Sequence, residues 1–121
     1  MQTRRLSGEY TREKRFKHPY PLVELTMVNN HTLQRCDAAC LLLVDYKKVL
    51  LFTPTEYRLL LLLLTHLTET LPFEDFFPDS FAFERDRAIL FKHMTHLREK
   101  ITWLGLDIVC CNGYGYTMHS T

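Results

Sequence analysis

The chain has almost no excess charge of either sign. Its Lys and Arg total 15, its Asp and Glu 14, and the formal net charge is +1. Bulk charge therefore points to no partner, neither nucleic acid nor an anionic surface. Long apolar runs are also missing. The leucine run Leu59 to Leu64 falls far short of the roughly 20 residues that span a bilayer. The amino terminus has no apolar stretch of the signal-peptide kind. A cytoplasmic protein without a membrane partner is expected, with its four cysteines reduced. Those cysteines form no C-x-x-C knuckle. Cys110 and Cys111 are neighbours in a strand-like stretch, where adjacent side chains point to opposite faces. With Cys36, Cys40, His93 and His96 they offer zinc-type ligands without zinc-type spacing. Buried or incidental cysteines are the expected reading, and no metal is assigned. Catalytic signatures are missing as well: no phosphate loop, no G-x-S-x-G and no H-E-x-x-H. Carboxylates are scattered. No catalytic residue and no cofactor is assigned, and the chain is not read as an enzyme.

What is present is an ordinary globular composition. In 121 residues, 46% are hydrophobic and 24% charged, enough for one domain around one core. Charge is uneven along the chain. Residues 1–20 hold Arg4, Arg5, Arg12, Lys14, Arg15 and Lys17 against Glu9 and Glu13. This basic segment reads as an N-terminal arm, and residues 21–121 as the folded domain. Two readings of the arm stand: a strand of positive charge lying on DNA phosphates, or a solvated terminus.

The folded part opens with strand signals. Val23 to Val28 reads as a strand, Asn29-Asn30 as a turn and His31 to Arg35 as the returning strand. Cys40 to Val44 and Val49 to Phe52 follow, around the polar stretch Asp45 to Lys48. Thr53-Pro54-Thr55-Glu56 is a helix start. Each of Thr53 and Glu56 can satisfy the other's amide, and Pro54 fits the first helical position. That helix is expected to reach about Thr68. Its six consecutive leucines exceed one buried stripe, which leaves Leu61 near solvent as an incidental exposed residue or a contact surface. Pro72 to Phe77 predicts a short second helix ended by Pro78. After a connection over Asp79 to Phe83, a third helix is predicted from Glu84 to Thr102. Leu90, Met94, Leu97 and Ile101 form its core-facing stripe, and Gly105 stops it. Leu106 to Cys111 and Tyr114 to Met118 predict a hairpin with a two-residue turn at Asn112-Gly113.

Three pieces of this pattern occur in a telling order: Leu51-Phe52-Thr53-Pro54-Thr55-Glu56-Tyr57-Arg58-Leu59-Leu60, then Leu97-Arg98-Glu99-Lys100-Ile101, then Gly113-Tyr114-Gly115-Tyr116. Together they resemble the OmpR/PhoB-type winged helix-turn-helix, the DNA-binding effector domain of bacterial response regulators. The resemblance covers about Leu41 to Met118. It implies an α+β fold: three helices, an N-terminal antiparallel sheet and a C-terminal hairpin serving as a wing. It implies sequence-specific binding of double-stranded DNA by a transcriptional regulator, with the third helix in the major groove. The 121 residues are expected to stand as the effector module without a receiver domain, with affinity supplemented by self-association or by tandem binding on DNA.

By the same resemblance, Lys92, His93 and His96 fall where base edges are read. Arg85, Arg87, Arg98 and Lys100 are the phosphate candidates, and Asn112 and Tyr114 the wing contacts. The Asp79 to Phe83 connection corresponds to a loop that can meet RNA polymerase; for Phe81 and Phe83 the first expectation is burial in the core. One departure matters. Family wings often carry arginines on both sides of the glycine-tyrosine motif, and here Asn112 and Thr117 stand in those places. Two alternatives follow. A winged helix turned to protein–protein interaction fits the near-neutral charge, the uncharged wing, Leu61 and the phenylalanines. A phage or plasmid replication or partition protein fits the small DNA-binding fold.

Overall fold

The computed structural model describes residues 22–25, 27–77 and 83–121, with no account of the Phe83 side chain. The basic arm with Arg4, Arg5, Arg12, Lys14, Arg15 and Lys17 lies outside the described residues. So do Asp79 to Ala82, including Phe81, on which the polymerase-contact expectation rests.

The first sheet is a four-stranded antiparallel meander, β1 (Val23–Glu24), β2 (Leu33–Cys36), β3 (Leu41–Val44) and β4 (Lys48–Leu51), in chain order. Its first turn has the chemistry a tight hairpin needs. Asn29 and Asn30 both take left-handed backbone angles, φ 48° and 69°, which asparagine tolerates better than most residues. Val28 and His31 exchange backbone hydrogen bonds of 3.0 and 2.8 Å across it. The turn after β3 is tied back to the same hairpin. Asp45 accepts from the Thr32 amide at 2.9 Å and pairs with His31 at 2.8 Å. The His31 hydrogen bond, followed by the Thr32 amide, holds the Asp45 carboxyl below the usual range. β3 is buried along its whole length; its uninterrupted Leu-Leu-Leu-Val is the mark of a strand covered on both faces.

Helix α1 (Pro54–Thr65) begins where the capping pattern puts it. Thr53 Oγ1 accepts from the Glu56 amide at 3.2 Å, and Glu56 Oε1 accepts from the Thr53 amide at 3.1 Å. Two amides left over by helix geometry are thereby satisfied. Thr53→Ala is expected to lower stability by about 1 kcal/mol in urea denaturation, the usual cost of losing such a cap. The helix ends at Thr65, short of Thr68, which turns left-handed at φ 72°. Leu59, Leu60 and Leu63 enter the core. Leu61 is half-buried and lines a groove of about 470 Å³ with Leu25, Met27, Val28, Leu33 and Leu64.

The segment after α1 corrects the sequence reading. Among the described residues there are two α-helices, not three. The expected second helix at Pro72–Phe77 is instead the strand β5 (Thr70–Pro72) followed by a single 3-10 turn at Phe73–Phe76. Pro72 is extended, at φ −67° and ψ 156°, and its backbone pairs with Gly115. The chain is thus pulled onto the second sheet before a helix can start. Phe73 and Phe76, three residues apart, are both buried, as suits the tighter 3-10 repeat. Both rings meet Tyr116 edge-on, at 5.7 and 6.0 Å between centroids. Arg58 of α1 closes the turn by donating to the Phe76 carbonyl at 3.0 Å.

Helix α2 (Phe83–Ile101) is the helix predicted as the third. Leu90, Met94, Leu97 and Ile101 are buried in the same core as Leu59, Leu60, Leu63, Tyr116 and Met118. A 3-10 turn at Thr102–Leu104 leads to Gly105, left-handed at φ 78°. Strands β6 (Leu106–Cys111) and β7 (Gly115–Ser120) then form the hairpin, and the second sheet has the order β5-β7-β6. Cys111 pairs with Gly115, so the hairpin loop is Asn112-Gly113-Tyr114. The expected two-residue turn is one residue too short. Gly113 supplies the left-handed residue at φ 75°, and the Tyr114 amide donates to the Cys111 carbonyl at 2.9 Å.

Candidate nucleic-acid interface

The structure presents one long helix with a single buried stripe, flanked by a hairpin. At 3.6 residues per turn, the stripe through Leu90, Met94, Leu97 and Ile101 leaves Arg85, Ala88, Lys92, His96 and Glu99 on the far side. All five are exposed. Along α2 the charges are ordered. Glu84 and Asp86 stand in the first turn and Arg98 and Lys100 in the last, each sign opposite the helix dipole's end. Part of the helix's charge therefore serves the helix itself.

Three sets of contacts fix how α2 is presented. Toward α1, Lys100 Nζ donates to Glu56 Oε1 at 2.7 Å and to the Leu51 carbonyl at 3.0 Å, over the Phe52 ring at 5.2 Å. Burial pushes the Glu56 carboxyl up. The Lys100 ammonium, the Thr53 amide and the nearby charges of Lys100 and His96 outweigh it, and the group titrates below its ordinary value. Toward the hairpin, Arg98 Nε donates to Asp107 Oδ1 at 2.9 Å, and that hydrogen bond holds Asp107 below the usual carboxylate range. Toward the first sheet, Asn29 Nδ2 donates to the carbonyls of Leu104 and Gly105 at 3.0 and 2.7 Å. His31 meets Trp103 edge-on at 5.6 Å, and Lys48 Nζ stands 4.7 Å over the Trp103 ring.

These contacts divide the sequence-derived site residues. Lys92 and His96 are exposed, and His93 is half-buried. Arg85 is 72% exposed at its side chain and also pairs with Asp86 at 3.3 Å. Arg87 lies with its guanidinium 4.5 Å over the Phe73 ring, anchored on the one-turn segment before α2. Arg98 and Lys100 have acidic partners on other elements. Asn112 and Tyr114 are exposed at the tip of the hairpin. The tip, Asn112-Gly113-Tyr114, carries no charged side chain, so the wing offers a phosphate only dipolar donors. The sequence reading followed charge and passed over Ile89 and Phe91, which are 45% and 61% exposed. Their signal was available: both fall outside the Leu90-Met94-Leu97 stripe. Phe91 lines a shallow groove with Arg87, Ala88, Cys110 and Tyr116, between α2 and the hairpin.

Burial, then the neighbouring Cys110 thiol, push the Tyr116 phenol up to about 12, so it stays neutral across ordinary pH. The four cysteines are free thiols, with Cys36 buried and Cys110 exposed. Among the described residues, no three His, Cys, Asp or Glu side chains are grouped to hold a metal ion, and no helix is long and apolar enough to cross a membrane.

No protein-family model and no curated protein matches the chain. Among solved structures it is similar to the C-terminal domain of the nisin resistance regulator NsrR, a lantibiotic response regulator. The two share 33% identity over 78% of this chain and 95% of that one, with a TM-score of 0.57. Motif order, fold and this similarity agree: the chain belongs to the OmpR/PhoB-type winged-helix family of response-regulator effector domains.

Proposed function

We propose that this protein binds specific sequences in double-stranded DNA as a transcriptional regulator, with α2 in the major groove and the β6–β7 hairpin as its wing. The observation that carries the reading is the open face of α2. A 19-residue helix is buried along one stripe only and clamped at both sides and at its end, and it leaves Arg85, Lys92 and His96 exposed. An α-helix of that kind fits the major groove, where all four base pairs are distinguishable. In this reading Lys92, His93 and His96 reach base edges. Arg85, Arg87, Arg98 and Lys100 neutralise phosphates, the last two less strongly because each already holds a carboxylate. Asn112 and Tyr114 touch the backbone or minor groove without charge. Self-association or tandem sites on DNA supply further affinity.

Titration of the purified protein against random and genomic duplex DNA at two salt concentrations tests this. A discrete recovered sequence, bound more tightly at low salt, is the expected result. Absence of binding at low salt, together with a stoichiometric protein complex, would favour the protein-interaction reading, for which the charge-free wing tip is the specific observation.

The wing makes a separate prediction. Asn112→Arg adds one charge at an exposed tip and is expected to steepen the slope of log affinity against log salt by about 0.9. An unchanged slope in a filter-binding series would mean that the tip stays clear of the DNA.

A further inference from the structure

We infer that Phe91 reads thymine through its C5 methyl group, an inference that rests on the DNA-binding reading above. Phe91 lies in the middle of α2 with 61% of its surface exposed. It stands on the hairpin side of the helix, above a groove shared with Ala88, Cys110 and Tyr116. Lys92 follows it on the exposed face, and Ala88 precedes it by one turn with no bulk to hold a base away. A phenyl ring entering the major groove has one favourable partner there. Thymine presents a methyl group, whereas the other bases present only hydrogen-bonding groups and ring edges in that groove. Against guanine or adenine the ring would strip water from acceptors without replacing it, which is unfavourable.

The arrangement of the face argues for base contact over protein docking. The two large apolar side chains on it, Ile89 and Phe91, are two residues apart and so about 160° apart around the helix axis. Between them on the exposed side stand Ala88, Lys92, Arg85 and His96. A docking patch is a contiguous apolar area rimmed by polar groups. Here single apolar groups alternate with cationic and hydrogen-bonding ones. That is the mixture needed to track methyl groups between phosphates and base edges.

The test uses the full chain and two versions of one random-site duplex pool, one synthesised with thymine and one with uracil, which lacks only the methyl. The wild-type protein is expected to bind the uracil pool more weakly, by about fourfold for each methyl Phe91 covers. Sequences recovered from the thymine pool should carry thymine at a fixed position. Phe91→Ala, at an exposed site that the core does not use, should keep its circular dichroism and its salt-dependent DNA binding while binding both pools alike. Equal wild-type affinity for the two pools, or a preference that survives in Phe91→Ala, overturns the inference and leaves DNA binding intact. Absence of binding to either pool at low salt overturns the DNA-binding reading and the inference with it.

Discussion

Among the described glycines, Gly115→Ala is expected to be the most damaging change, lowering stability by about 3 kcal/mol or more. A Cβ built on Gly115 would lie 1.7 Å from the Leu71 carbonyl oxygen, 2.6 Å from the Leu71 carbonyl carbon and 2.8 Å from Pro72 Cα. All three are backbone atoms of β5, which no side-chain rotation can move. Either β5 leaves β7 or the hairpin shifts its register. The first outcome releases the 3-10 turn, whose Phe73 and Phe76 pack on Tyr116; the second displaces the wing. Overpacking at sites with more freedom already costs about 1–3 kcal/mol. Gly113→Ala is the control. It has open space around its Cβ but a φ of +75°, so it should cost only about 1 kcal/mol of left-handed strain. Chemical denaturation of both variants measures the contrast. A Gly115→Ala protein as stable as Gly113→Ala would show that β5 does not close on the hairpin.

The second large effect is expected from Lys100→Met, at about 2 kcal/mol. Glu56 keeps only 6% of its side chain exposed, and Lys100 provides its opposite charge. Removing one member of a buried pair leaves the other charged and dehydrated, which typically costs more than this. The lysine itself is 37% exposed, and solvent screening reduces the figure. The sign of the pH dependence is specific. In the wild type, the net effect of Lys100 and the Thr53 amide against burial holds the Glu56 carboxyl below its ordinary value. The stability this group contributes is therefore present above the unfolded glutamate range and lost as pH falls through the lower folded value. In Lys100→Met the Thr53 amide still lowers the Glu56 carboxyl, but burial is no longer opposed by the ammonium, so the carboxyl moves up from its wild-type position. The folded variant then takes up a proton at a higher pH than the folded wild type does. Its deficit relative to the wild type should shrink as pH is lowered from 7 toward about 4.5. Urea midpoints across that range check this, and a deficit that is constant with pH would mean that Lys100 acts by packing alone.

Features written locally in the sequence were the legible ones. Thr53 and Glu56 form the capping box that their spacing predicts, because both partners lie within one turn. Asn29-Asn30 makes its hairpin turn for the same reason. The α2 stripe was readable because helical periodicity is a property of one segment. What depended on distant partners was not. β5 is a three-residue strand that exists because β7 pairs with it, and no alternation marks so short a piece. Phe73, Phe76 and Phe77 fit a helical pattern as well as a 3-10 turn. The choice between them was made by Pro72 pairing with Gly115 and by Tyr116 beneath the rings. Site residues followed the same division. That Arg85, Lys92 and His96 face outward could be derived from the stripe. That Arg98 and Lys100 hold carboxylates could not, since Asp107 and Glu56 belong to other elements. That Phe91 lies outside the buried stripe also follows from helical periodicity, although its charge-free side chain does not mark it as a DNA contact.

That α2 carries this protein onto DNA is tested most directly by the slope of log affinity against log salt for the wild type and for Lys92→Ala, measured on one duplex recovered from the random pool. Lys92 is exposed on the face opposite the core and makes no ion pair with another described residue, so its loss should leave the fold unchanged. Tight low-salt binding by the wild type is expected, with a variant that binds more weakly and with a slope shallower by about 1. Identical slopes and affinities for the two proteins would contradict it, because the DNA would then be held by some other surface.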